Sequence, residues 1–189
     1  MGFRLSKIYT KTGDKGHTSL AFGAPIHKGE LIIECIGNID ELNSLIGLTI
    51  SKLEPTSKVK ETLTDIQHQL FNYGAELAMP EHAKIAGADT LFLEQQIDLL
   101  NNQLAPLKEF ILPGGDFAAA DCFYARAYAR KAERNLARLA QHQEISEFLL
   151  QYINRLSDYL FVCARYINKE NDHSEVYWKS QRLKKNKPS

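Results

Sequence analysis

Beyond its first 37 residues the chain repeats apolar positions at threes and fours. Ile39, Leu42, Ile46 and Thr49 have this spacing, which puts them on one face of a helix. Val59, Leu63, Ile66, Leu70, Tyr73 and Leu77 continue it between Pro55 and Pro80, and proline interrupts a helix. Leu93, Ile97, Leu100 and Leu104 form a third stripe, ended by Pro106. A fourth segment covers about 116–140 and opens with Asp116, a suitable N-cap. A fifth covers about 144–169, with Leu149, Ile153, Leu156, Leu160, Cys163 and Ile167 in heptad-like register. Narrow stripes sustained over five segments predict an all-α bundle of long helices. The first helix is expected to start at Asn38, with Glu41 completing a capping box. The second is expected over 57–79, and the third from Asp89 or Thr90.

The first 37 residues are rich in Gly, Lys and Thr. Leu31, Ile32 and Ile33 are compatible with extended backbone, but no series of alternating runs follows, so this stretch reads as an ordered loop region. After Asn171 the chain turns polar and reaches Lys184-Lys185-Asn186-Lys187, with mobility expected at its last residues. With 189 residues the chain is long enough for one domain with a core. The expected division is a loop region at 1–37, a bundle at 38–170 and a polar tail at 171–189.

Charge adds one constraint. Lys plus Arg number 23 and Asp plus Glu number 23, a balance that argues against a general nucleic-acid or membrane-surface role. Any anion site must come from local clustering of cations. Cys35, Cys122 and Cys163 form no CxxC pair, which speaks for reduced, buried thiols in a cytoplasmic protein rather than a disulfide framework or structural zinc. No apolar run reaches the length of a membrane span, and the start has neither a signal core nor transit character. Residues 1–6 fit the myristoylation pattern, which is short enough to arise by chance.

Three places could carry chemistry. Arg126, Arg130, Glu133 and Arg134 share one face of the fourth helix. That face is either solvated charge or an anion site, and arginine suits bidentate phosphate contacts. On the fifth helix Asn154 and Asp158 are four apart, with Arg165 further along the same side. They could serve as hydrogen-bonding partners between helices, and Asn154 could equally orient a ribose or phosphate. The run Thr10-Lys11-Thr12-Gly13-Asp14-Lys15-Gly16-His17-Thr18-Ser19 has glycines, hydroxyls and lysines that could cradle phosphate. It could also be a plain polar turn, and the chain has no GxxxxGK[ST] or GxGxxG fingerprint. The six histidines make no metal constellation. Asp65-Ile66-Gln67-His68 is a single imperfect copy of the Glu-x-x-His that di-iron bundles carry twice, so His68 reads as structural or surface.

Five blocks in order resemble the PduO-type ATP-dependent cobalamin adenosyltransferases over nearly the whole chain. They run from Tyr9 to Leu20, from Asn38 to Gly47, from Phe110 to Gly115, from Ala125 to Arg134 and from Tyr152 to Phe161. The resemblance implies a five-helix bundle, ferritin-like in general arrangement, assembled as a homotrimer with active sites between subunits. It implies that ATP, magnesium and a reduced corrinoid such as cobalamin bind there. Cobalt(I) would then attack the ribose 5′ carbon, and triphosphate would leave.

Carried over by block, Thr10, Lys11, Thr12, Gly13, Asp14, Gly16, Thr18 and Lys28 would wrap the phosphates. Arg130 and Arg134 would stabilise the leaving group, and Glu133 would place magnesium or order the arginines. Asn154 would hold the nucleotide, and Asp40 would pair with Arg126, within a subunit or across the boundary. Phe110 would lie over the lower face of the corrin and keep water or the nucleotide-loop base off cobalt. The implied partners are a reductase or an adenosylcobalamin-dependent enzyme. Phe123, Ala127 and Lys131 depart from the His, Thr and Arg common in the family, and Ala24-Pro25-Ile26-His27 lacks an Arg ahead of Lys28. The reading from another class is a bundle that senses nucleotide or carries corrinoid without catalysis.

Overall fold

The computed structural model describes residues 8–20 and 23–179. The elements are β1 His17–Thr18, β2 Ile26–His27, α1 Leu31–Ser51, α2 Lys60–Ala78, α3 Gly87–Asn101, α4 Phe117–Leu139 and α5 Glu147–Glu170. The fold is a five-helix bundle with one two-residue hairpin, in which His17 pairs with His27 and Thr18 with Ile26. No described helix is long and apolar enough to cross a membrane.

The apolar stripes face the core as their spacing predicts. All six of the α2 positions from Val59 to Leu77 are buried, and so are all six of the α5 positions. α4 packs against α5 and α1, α5 also packs against α3, and α1 against α2. The buried face of α4 holds Ala118, Ala119, Ala125, Ala129 and Ala132. Such small side chains let two neighbouring helices approach closely. The Tyr73 hydroxyl donates to the Leu149 carbonyl at 3.0 Å and ties α2 to α5.

Several helix ends shift by two or three residues, and two larger features differ from the sequence reading. α1 begins at Leu31, seven residues before Asn38, so Leu31, Ile32 and Ile33 are helical and not loop. Leu31, Ile32, Cys35 and Ile36 extend the apolar stripe upstream and pack on the core. Asn38 is therefore mid-helix and is not a cap. Its Nδ2 donates to the Glu34 carbonyl at 2.5 Å, and its Oδ1 accepts from Asn135 of α4 at 3.3 Å. The second correction concerns the tail. Val176 to Trp178 lie beside Phe110 to Leu112 as a short antiparallel bridge, with Leu112 N–H donating to Val176 O at 2.8 Å and Trp178 N–H to Phe110 O at 2.7 Å. The expectation of mobility falls on residues outside those described.

The other caps follow local chemistry. Asp116 accepts from the Ala118 N–H at 2.7 Å and opens α4 as expected. Ser146 caps α5, so α5 starts three residues after Glu144. α3 starts at Gly87, and Asp89 accepts from the Ala86 N–H at 2.8 Å from its third position.

Candidate active site

One face of the bundle, along the seam of α4 and α5, gathers most of the helical candidates. Asn154 Nδ2 donates to Glu133 Oε1 at 2.6 Å, which joins the two helices. The Arg126 guanidinium sits 5.2 Å from the centre of the Phe161 ring, a cation–π arrangement. Burial and then the neighbouring Arg130 push the Arg126 pKa down, while Asp158 opposes them. An arginine so placed stays charged at any working pH. Its electrostatic surroundings therefore favour an added anion.

Arg130 and Arg134 are exposed on this face, and neither makes an ion pair among the described residues. Glu133 is engaged with Asn154 and not with an arginine. Two guanidiniums with free forks on one helical face can take a polyphosphate bidentately. No group of three or more His, Cys, Asp or Glu that could hold a metal occurs among the described residues. Magnesium needs no such cage, because it binds through one or two carboxylates and substrate phosphates. Glu133 is the carboxylate that lies on the seam itself.

Arg165 does not join this face. It is 4% exposed and donates through Nε to Glu175 Oε1 at 2.6 Å and through an Nη to the Ala105 carbonyl at 2.8 Å. α5 is wrapped on all sides by this point, which turns the seam's polar line into core. Asp158 pairs with Arg155, which also reaches Glu94 of α3. His68 is exposed on α2, as expected.

The N-terminal run folds as a tight turn on the hairpin. Gly16 has φ +80° and Lys11 φ +61°, left-handed backbone in which glycine is at ease. Gly16 N–H donates to Gly13 O at 3.2 Å, and Lys28 N–H to Gly16 O at 2.9 Å. A side chain on Gly13 would meet the Lys28 ammonium at 3.0 Å, so Gly13 and Lys28 come together. The Thr10 and Thr12 hydroxyls are 2.8 Å apart. Thr18 is half-buried on β1, and Asp14 is exposed. Among the described residues, the hydrogen bonds of this loop stay within it and the first turn of α1. None joins it to Arg130, Arg134 or Asn154.

Asp40 is exposed on α1 and makes no ion pair with Arg126 within this chain, among the described residues. It lines a cleft of about 550 Å³ with Glu41, Ser44, Leu48, Tyr124 and Tyr128. The sequence reading missed a link there. Tyr128 donates to Glu41, and the Lys131 ammonium lies 4.7 Å over the Tyr128 ring and 3.1 Å from its hydroxyl. The spacing of Tyr128 and Lys131 on one helical face is the signal that could have revealed it. Phe110 is 74% exposed, and its ring centre lies 6.2 Å from that of Trp178.

The chain is a helical bundle with exposed cations along one seam, a glycine-threonine-lysine turn and a solvent-facing aromatic. The chain belongs to the cobalamin adenosyltransferase family, whose model matches residues 8–167. It is 42% identical over 182 residues to a cobalamin adenosyltransferase of Cupriavidus metallidurans, covering 96% of this chain and 99% of that one. It is 42% identical to the corrinoid adenosyltransferase of Bacillus subtilis, covering 90% and 91%. A phenylalanine-to-histidine variant of the PduO-type ATP:corrinoid adenosyltransferase from Lactobacillus reuteri, complexed with cobalamin and ATP, superimposes with a TM-score of 0.88. That match has 35% identity and covers 92% of this chain and 97% of that one.

Proposed function

We propose that this chain transfers the 5′-deoxyadenosyl group of ATP to the cobalt(I) of a reduced corrinoid, giving adenosylcobalamin and triphosphate. The α4/α5 seam carries the reading. Arg130 and Arg134 stand in solvent without an ion pair among the described residues, beside the Glu133–Asn154 bond. In the transfer a cobalt lone pair forms the cobalt–carbon bond as the bond from C5′ to oxygen breaks. The electron pair of that bond leaves with triphosphate, and cobalt passes formally from +1 to +3.

Negative charge grows on the leaving triphosphate, so catalysis needs cations aimed at it before the reaction. Arg130 and Arg134 supply them, and Asn154 holds the nucleotide while its bond to Glu133 fixes its amide. Glu133 would hold a magnesium ion that, on the triphosphate, would neutralise further charge. Thr10, Lys11, Thr12, Gly13, Asp14, Gly16, Thr18 and Lys28 wrap the phosphates from the hairpin.

Among the described residues no hydrogen bond joins the hairpin to the seam within one chain, and Asp40 pairs with no arginine there. A homotrimer with its sites between subunits answers both points, with the hairpin and Asp40 of one copy meeting Arg126, Arg130 and Arg134 of the next. Phe110 faces the corrin and keeps an axial ligand off cobalt. Support comes from the Lactobacillus reuteri protein, in which a phenylalanine and an arginine twenty positions apart were replaced, the spacing of Phe110 and Arg130. We infer a cytoplasmic enzyme, where Cys35, Cys122 and Cys163 stay reduced, supplied with cobalt(I) by a reductase and serving an adenosylcobalamin-dependent enzyme.

An anaerobic assay with ATP, magnesium and chemically reduced cob(I)alamin, followed by visible spectrum, tests the reading. Adenosylated product from the wild type is expected, with a large loss in Arg130→Ala. ATP binding without product would overturn it in favour of a nucleotide sensor or corrinoid carrier.

A further inference from the structure

Phe110 is a solvent-exposed side chain whose direction its own contacts hardly fix. Among the described residues its ring meets one other ring, that of Trp178, itself half exposed. Its aim therefore depends on the backbone that carries it. That backbone is one side of the short ladder with Val176 to Trp178, and both sides of the ladder are anchored at the end of α5.

Asn168, 3% exposed, is the first anchor. Its Nδ2 donates to the Gly114 carbonyl at 2.9 Å, and its Oδ1 accepts from the Asp116 N–H at 2.9 Å. Its own carbonyl accepts from the His173 N–H at 2.8 Å. One buried residue thus holds the 110–116 segment, the start of α4 and the start of the tail. Gly115 lies so close that any Cβ there would overlap the Asn168 amide, and its φ of +103° also excludes other residues. The second anchor is Arg165, one turn earlier. Its bidentate pair with Glu175 holds the residue before Val176, and its bond to Ala105 holds the chain ahead of Phe110.

We infer that Asn168, together with the Arg165–Glu175 pair, is the positioning device for Phe110. It sets the coordination of the bound corrinoid's cobalt without touching the corrinoid or the nucleotide. The inference rests on the reading that Phe110 faces the corrin. Both anchors are made of buried, hydrogen-bonded polar groups, which hold one geometry because leaving any of them unpaired is costly. A displacement of about 1 Å in a group that must exclude an axial ligand is enough to lose roughly a hundredfold in rate.

The test adds cob(II)alamin anaerobically to the full-length enzyme with saturating ATP. The four-coordinate fraction is read by visible absorption and electron paramagnetic resonance, and ATP affinity is measured separately. Asn168→Ala is expected to lower the ratio of four- to five-coordinate cobalt by roughly tenfold or more, with ATP affinity at the wild-type level. Asn168→Asp, which keeps the acceptor and loses the donor, falls between. Gly115→Ala, at an exposed position, pushes the turn off Asn168 and gives the same loss; it decides the matter if Asn168→Ala does not fold. In a Phe110→Ala background, Asn168→Ala adds nothing further. A wild-type spectrum in folded Asn168→Ala or Gly115→Ala, with a changed one in Phe110→Ala, overturns the inference alone. An additive loss in the double variant also overturns it. An unchanged spectrum in Phe110→Ala itself removes the corrin-facing role of Phe110, and the inference with it.

Discussion

α5 carries two polar clusters, and they are built in opposite ways. Around Asn154 and Asp158 the polar side chains are exposed, and across the seam on α4 Arg130 and Arg134 make no ion pair among the described residues. Three turns later, Arg165 and Asn168 are buried and tied to Glu175, Ala105, Gly114 and Asp116. Burial demands that polar groups be paired, so the second cluster is saturated by its own chain. Solvent removes that demand from the first cluster, which leaves its cations free for a ligand. The two halves of one helix thus separate binding from the mounting of what binds.

Four changes would break or sharpen that contrast. The largest effect is expected from Arg130→Ala, which should lower kcat by about 10²–10³-fold while the thermal midpoint stays close to wild type. Steady-state kinetics beside a melting curve check it, and a collapse in stability would place Arg130 with the buried cluster. Arg165→Ala strands Glu175 and the Ala105 carbonyl, and should cost about 3 kcal/mol of stability with ATP affinity kept. Urea unfolding at unchanged slope would measure it. Asn154→Ala releases Glu133 and should raise the KM for ATP by about tenfold, near 1.4 kcal/mol, with little change in unfolding midpoint. Tyr73→Phe removes the buried bond to Leu149, a member of neither cluster, and should cost about 1 kcal/mol with kinetics untouched.

The helices were legible because burial writes itself into spacing. The α2 and α5 stripes are buried at every named position, and Asp116 marked the start of α4 by chemistry that only a cap explains. The start of α1 was hidden by Asn38 and Glu41, which mimic a capping box; where apolar spacing continues upstream they serve mid-helix instead, Asn38 tied to Asn135 and Glu41 to Tyr128. Leu31, Ile32 and Ile33 form a run too short for periodicity to separate helix from strand. The seam was legible as four residues on one face, and the Glu133–Asn154 bond joins two stretches already singled out. Arg165 was misplaced because helical spacing gives direction but not what surrounds it. The Val176 to Trp178 strand was missed, although three large apolar residues inside a polar tail were its signal. Its partner is distant in sequence, and single-chain pattern reading does not reach non-local pairing.

The ladder between Leu112 and Val176 has a consequence for how the molecule comes into being. Its two strands stand on opposite sides of α4 and α5, so it can close only after both helices exist and have docked. Closing so wide a loop is entropically deferred. During synthesis, which proceeds from the N-terminus, the arginine seam is assembled first and the carrier of Phe110 last. A chain truncated just past Glu170 would keep the seam residues and lack the strand beside which Phe110 stands.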